Sequence, residues 1–302
     1  MSKAYCSPKK YLAKGDTCLS KSELQLIAED YNNTVSDMNI KISTKQSKKK
    51  LYESLRSALQ KYCESDNDEH CWIEQDFINN NHKSQLNSSF RPKKPKQWYK
   101  NKYTWLNTFD ILNVMKQYEQ SHKSFRFLGV YPIDFQDTYP DGTCIGNMLC
   151  SIHIRQLKKM GKKQFAMVLN LDKHNQSGSH WVSVFCNIDP KKENFGIYYY
   201  DSVAVPPGRQ VSAFMQQIKE QVKEIFPQSV SSKFKVEYNT IQKQFENSEC
   251  GVFSMVFTTQ MLREHQFSYI CEHMKQDSGI NEIRDVLYRP SLFVKAHKDF
   301  NT

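Results

Sequence analysis

Ser248-Glu249-Cys250-Gly251 opens an apolar run, and Gln244 stands six residues before its cysteine. Upstream, in chain order, come His180, Trp181 and then Asp201. A thiol becomes a useful nucleophile as a thiolate, which a neighbouring base or a helix N-terminus helps to form, and the base works best when a third group orients its ring. A carboxamide and a backbone N–H complete such a site by receiving the oxyanion of acyl transfer, a donor of this kind typically being worth about a hundredfold in rate. Cys250, His180, Asp201 and Gln244 are therefore the candidate catalytic group.

Positioning these side chains is the task of the surrounding elements. Val252, Phe253, Val256, Phe257 and Leu262 predict a buried helix over 251–262, with Cys250 at its positive end, where unpaired N–H groups and the helix dipole favour a thiolate. Gly251 is expected to let a substrate backbone or its own N–H approach closely. His180 follows the turn Gln176-Ser177-Gly178-Ser179 and begins a predicted strand, so its ring projects from a sheet edge. Asp201 closes the next strand and is expected to accept the Nδ1 proton of that ring. Each residue also has a plainer explanation: a buried structural cysteine, an ordinary histidine, a turn aspartate, a loop glutamine. Their joint order and spacing, rather than any one of them, carry the chemical reading.

Apolar and β-branched content predicts strands over 164–171, 180–188, 195–200 and 234–240, and helices over 110–118 and 209–226, with a short helical stretch near 147–157. The fold class is α+β: a central mixed sheet packed on helices, with the nucleophile at a helix N-terminus. Residues 1–100 differ, with 18 Lys and Arg against 12 Asp and Glu and no strand-like run. Helices are predicted after the capping pattern that begins at Asp16, through Leu24, Ile27 and Tyr31, and over 50–62 through Leu51, Leu55 and Leu59. The Pro- and Lys-rich stretch 91–100 resists helix. It divides a helical basic N-terminal region, 1–100, from a core domain, 101–302.

The chain has 302 residues and nine cysteines. The odd count and the absence of a secretory signal predict mostly reduced thiols. No C-x-x-C pair and no dense His/Cys cluster suggests zinc, so neither metal nor cofactor is expected. No apolar run is long enough to span a membrane, and the chain is expected to be soluble and intracellular. The formal charge of +10 bears on partners and solubility rather than fold. Its two clusters, Lys48-Lys49-Lys50 and Arg91-Pro92-Lys93-Lys94-Pro95-Lys96, suit either non-specific DNA binding or a solvated face.

Gly178-Ser179-His180-Trp181, Asp201-Ser202, and Gln244 with Cys250-Gly251 resemble the signature of the adenovirus protease and SUMO-protease superfamily of cysteine peptidases. Trp105-Leu106-Asn107 with Asp110 resembles the entry helix of the SUMO-protease branch. Within the superfamily the chain is most similar to the African swine fever virus type of polyprotein-processing protease of large DNA viruses. Gly15-Asp16-Thr17-Cys18-Leu19-Ser20-Lys21, Val168-Leu169-Asn170 with Asp172, and Pro206-Pro207-Gly208 extend that similarity. At the acid the relatives differ, with asparagine in the African swine fever type and glutamate in adenovirus.

The resemblance implies an endopeptidase that cuts at Gly-Gly-type sites in protein or polyprotein substrates. Cys250 would attack, His180 would carry the proton, Gln244 would hold the oxyanion, and Trp181 and Trp105 would flank a slot that admits only glycine. For Trp105, ordinary core packing competes with that role. It further implies an N-terminal arm and a place of action in the host cytoplasm and the virion. An isopeptidase that removes SUMO or ubiquitin shares the same residues. A nucleic-acid-binding scaffold that merely keeps the fold has no need of the complete quartet.

Overall fold

The computed structural model describes residues 5–11, 17–34, 41–63 and 69–290. They fall into two compact units, one running to Tyr99 and joined by the described residues from Asp285 onward, the other spanning Lys100–Arg284. The first division falls near residue 100 and the second at Asp285, within the last helix.

The first unit is helical: α1 (Pro8–Tyr11), α2 (Lys21–Thr34), α3 (Lys48–Leu59), α4 (Glu69–Trp72) and α5 (Asn80–Asn87). A capping box starts α2, in which the Glu23 N–H donates to Ser20 Oγ at 3.3 Å and the Ser20 N–H donates to Glu23 Oε2 at 2.6 Å. The Asp16 that opens the predicted cap lies outside the described residues. Leu51, Leu55 and Leu59, one turn apart on α3, are fully buried together with Leu24, Ile27 and Trp72.

One sequence expectation fails in this unit. Cys6 pairs with Cys18, and Cys63 with Cys71. In the second unit Cys144 pairs with Cys150, leaving Cys186, Cys250 and Cys271 free, so the thiols are not mostly reduced. The bridges close short local loops whose Cα atoms lie 5.1, 6.0 and 6.1 Å apart, within disulfide reach, and no spacing motif announces them. Within the stretch 91–96 the basic residues differ in setting, with Lys93 and Lys96 exposed. Arg91 is buried, Lys93 is paired with Glu74, and Lys94 with Asp285. Lys49 and Lys50 at the start of α3 are exposed.

The second unit is built on a five-stranded mixed sheet in the order β1-β2-β3-β4-β5. Its strands are β1 (Phe125–Pro132), β2 (Gln164–Asn170), β3 (Trp181–Asn187), β4 (Gly196–Tyr200) and β5 (Lys235–Tyr238). The two outer pairs are parallel and the two inner ones antiparallel. Every residue of β3 and β4 is buried, as befits strands covered on both faces. The strand β1 went unpredicted because Gly129 interrupts its pattern; that glycine sits at φ +140° where the register slips against β2.

Helices α6 (Thr108–Ser121), α7 (Ile154–Lys159), α8 (Arg209–Ile225), α9 (Gln228–Ser231), α10 (Cys250–Leu262), α11 (Phe267–His273) and α12 (Asp277–Leu287) surround the sheet. A capping box starts α6, with Asn107 and Asp110 exchanging bonds at 2.9 and 3.0 Å. Phe214, Ile218 and Val222 of α8 pack on one face of the sheet. Against β3 lies α10, which is buried on nearly every side and bonded through Thr258 and Ser183 hydroxyls 3.0 Å apart. A helix apolar all round can only be a central one. Among the described residues no helix is long and apolar enough to cross a membrane.

Candidate active site

Cys250 is the first residue of α10 and is 2 % exposed. The first N–H groups of a helix lack internal acceptors, so the Cys250 backbone donor and the positive helix end both lie at the sulfur's own residue.

His180 precedes β3 immediately, at the end of a loop that Gly178 turns at φ +91°. A side chain at Gly178 would meet Asn170 Nδ2 at 2.8 Å, and Asn170 Oδ1 in turn accepts from the Asp172 N–H at 3.0 Å. The ring nitrogen that meets Asp201 is Nε2, at 2.7 Å from Oδ1. The expected Nδ1 contact is thus reversed, and Nδ1 is the nitrogen left for Cys250. Burial alone lowers the His180 pKa, but hydrogen bonds and charge from Asp201 and Cys250 outweigh it and raise the pKa to about 9. The ring therefore favours the imidazolium form, the partner a thiolate needs.

Asp201 follows β4 and is fully buried. Its Oδ1 also accepts the Val203 N–H at 3.0 Å. Asn239, which the sequence reading passed over, grips the Asp201 backbone from both sides: Oδ1 accepts its N–H at 2.8 Å and Nδ2 donates to its carbonyl at 2.6 Å. A lone asparagine just past a short strand carries no sequence signal.

Gln244 is buried too. Its Oε1 accepts from Ser202 Oγ at 2.6 Å, which turns the amide nitrogen outward, and that nitrogen donates to the Glu246 carbonyl at 2.7 Å. An amide nitrogen has two hydrogens, so one remains for a ligand. Ser202, adjacent to Asp201, thereby links the acid and the carboxamide.

The tryptophans divide in character. Trp181 is 7 % exposed and donates Nε1–H to the Leu106 carbonyl at 2.9 Å. Trp105 is 41 % exposed, so core packing does not account for it. Both line one cavity of about 610 Å³, and Trp105 also walls a second of about 620 Å³ reaching Ser248 and Glu249. Gly251 serves a different end from the one expected. A Cβ there would lie 3.0 Å from Leu106 Cδ1 and 3.3 Å from Trp181 Cδ1, so the missing side chain admits Leu106 and Trp181 rather than a substrate backbone.

Comparison with known proteins agrees with this geometry. Residues 162–278 match the Ulp1 protease family, C-terminal catalytic domain. A protein of Acanthamoeba polyphaga mimivirus, named provisionally as a thiol protease, is 28 % identical over 311 residues, covering 97 % of this chain and 96 % of its own. The SUMO-1 cysteine protease of African swine fever virus is 26 % identical over 125 residues, which cover 41 % of this chain and 44 % of its own. The crystal structure of an African swine fever virus protease matches 96 % of this chain and 97 % of its own with a TM-score of 0.67 at 19 % identity, a likeness of fold. Residues 162–278 are thus similar to the catalytic domain of the Ulp1 protease family, and the protein is a cysteine peptidase.

Proposed function

We propose that the protein is an endopeptidase that cuts structural polyproteins of a virion at Gly-Gly-type sites, with Cys250 as nucleophile, His180 as the proton carrier, Asp201 as its orienter and Gln244 as oxyanion donor. The observation that carries this reading is the His180–Asp201 bond at 2.7 Å beside Cys250, in a setting that raises the histidine to about 9. Cys250 attacks the scissile carbonyl, and the oxyanion is received by the Cys250 N–H and the remaining Gln244 hydrogen. The His180 imidazolium then protonates the leaving amine, and water releases the acyl-enzyme.

Trp105 and Trp181 both line one cavity of about 610 Å³, and the glycine preference supposes that bound substrate narrows it to a slot between the two indoles. The viral relatives support action in the infected cell and the virion. A second reading, removal of SUMO or ubiquitin, is favoured by the family and by the name SUMO-1 cysteine protease of the African swine fever relative.

Incubation with SUMO and ubiquitin precursors and with virion polyprotein segments containing Gly-Gly separates the two. Cleavage of the segments after Gly-Gly, abolished by alanine at either glycine, is expected. Efficient cutting beside a bulky residue would sink the glycine slot, and cutting of SUMO alone would establish the isopeptidase.

A further inference from the structure

One buried guanidinium grips both the turn that delivers Cys250 and the stretch of chain that delivers Trp105. Arg284, on α12, is 3 % exposed. Its Nη2 donates to the Ser248 carbonyl at 2.7 Å, its Nη1 to the Thr104 carbonyl at 3.0 Å and its Nε to Asn281 Oδ1 at 2.8 Å. Ser248 lies two residues before the nucleophile, and Thr104 immediately before Trp105. The same turn is tied to α12 a second time, through Glu249. Glu249, 1 % exposed, accepts the Ser248 N–H at 2.7 Å, the Ser248 hydroxyl at 2.6 Å and Asn281 Nδ2 at 2.6 Å.

Peptide geometry gives these bonds a consequence. In a trans peptide the carbonyl and the following N–H point to opposite sides. With the Ser248 carbonyl held on Arg284, the Glu249 N–H must face the opposite way, and the Ser248–Glu249 plane, one peptide before the plane that carries the Cys250 N–H, cannot rotate without breaking a charge-assisted bond. We propose that Arg284 is a positioning residue: its fork fixes the Ser248–Glu249 peptide, and through it the Cys250 N–H, in register with the Trp105 side of the cleft. This rests on the reading of Cys250 as nucleophile. Lysine keeps the charge but has no planar fork, so it cannot hold both carbonyls at these distances.

The test uses the full-length chain with two small probes that need no substrate identity. Iodoacetamide alkylation of Cys250 requires a thiolate but no oxyanion site, whereas turnover of p-nitrophenyl acetate requires both. For Arg284→Lys, alkylation within about twofold of wild type is expected together with a turnover loss of about tenfold or more, the scale of a misplaced reacting group. For Arg284→Ala, adding guanidinium ion at a non-denaturing concentration should restore turnover. Melting temperatures taken in parallel identify a variant that unfolds, and there the other variant decides. Wild-type turnover in Arg284→Lys, or alkylation and turnover falling together, would overturn the proposal. Equal ester turnover by wild type and Cys250→Ala would instead remove the nucleophile reading, and the proposal with it.

Discussion

His180 keeps its proton up to about pH 9 because Asp201 and Cys250 both bind the charged ring, against burial that works the other way. Since this lies above the ordinary 6.5, the stability contributed by the charged ring is complete below about pH 6.5 and is lost as pH rises through about 9. The pH profile of kcat/KM should accordingly show an alkaline limb near 9. In Asp201→Ala the limb should move toward neutrality, and in Asp201→Asn less so, because an amide oxygen still accepts from Nε2. A limb unmoved by Asp201→Ala would mean that another group holds the ring. Among the free thiols, burial pushes Cys186 well above the usual thiol range. Burial, with the Glu237 charge next, pushes Cys271 up to about 12. Iodoacetamide near neutral pH should therefore label Cys250 alone, and Cys250→Ala should be folded and inactive; labelling of Cys271 at a comparable rate would contradict this. Gln244→Ala should lose about a hundredfold in kcat with a smaller change in KM, as measured by steady-state kinetics on a cleaved peptide.

Among the elements, the start of α10 shows how one residue type answers two demands. Replacing Gly251 by alanine gains about 1 kcal/mol of helix propensity. It also places a Cβ 3.0 Å from Leu106 and 3.3 Å from Trp181, an overpacking that costs about 1–3 kcal/mol. Stability should change little or fall slightly, while activity falls sharply because the displaced Leu106 and Trp181 border the nucleophile. Thermal melts beside kinetics check this, and a fully active Gly251→Ala would show that their packing is dispensable. Strands β2, β3 and β4 were legible because buried strands are largely apolar runs, and α10 because Val252, Phe253, Val256 and Phe257 follow one another with no charged residue among them. Strand β1 was hidden by Gly129, and α11 and α12 by their short, half-polar faces. The parts played by Asn239, Ser202 and Arg284 were illegible for another reason. Their roles lie in bonds to groups far away in sequence, and a residue's type does not reveal such bonds.

The described chain as a whole is stapled and locked in ways its composition conceals. Arg289, 1 % exposed, donates to the Arg91 carbonyl at 2.9 Å, to Asn87 Oδ1 at 2.6 Å and to Glu74 Oε1 at 3.2 Å. Charge-assisted bonds of this kind are worth about 1.5–3 kcal/mol each when a buried partner is left behind. Arg289→Ala should thus lower unfolding stability by at least about 2 kcal/mol in urea titration, and a loss below about 0.5 kcal/mol would show that water replaces the guanidinium. A cut of the chain near residue 100 also strands the segment from Asp285, which belongs with the first unit.

From the sequence alone followed the α+β class, the positions of β2, β3 and β4 and the candidacy of Cys250, His180, Asp201 and Gln244, because periodicity and short-range spacing are local properties. Tertiary structure alone decided which imidazole nitrogen faces Asp201, what Gly251 makes room for, which cysteines are bridged and where the lysines of residues 91–96 find their partners. Those outcomes depend on which groups long-range packing brings within a few ångströms, and no local pattern encodes that distance.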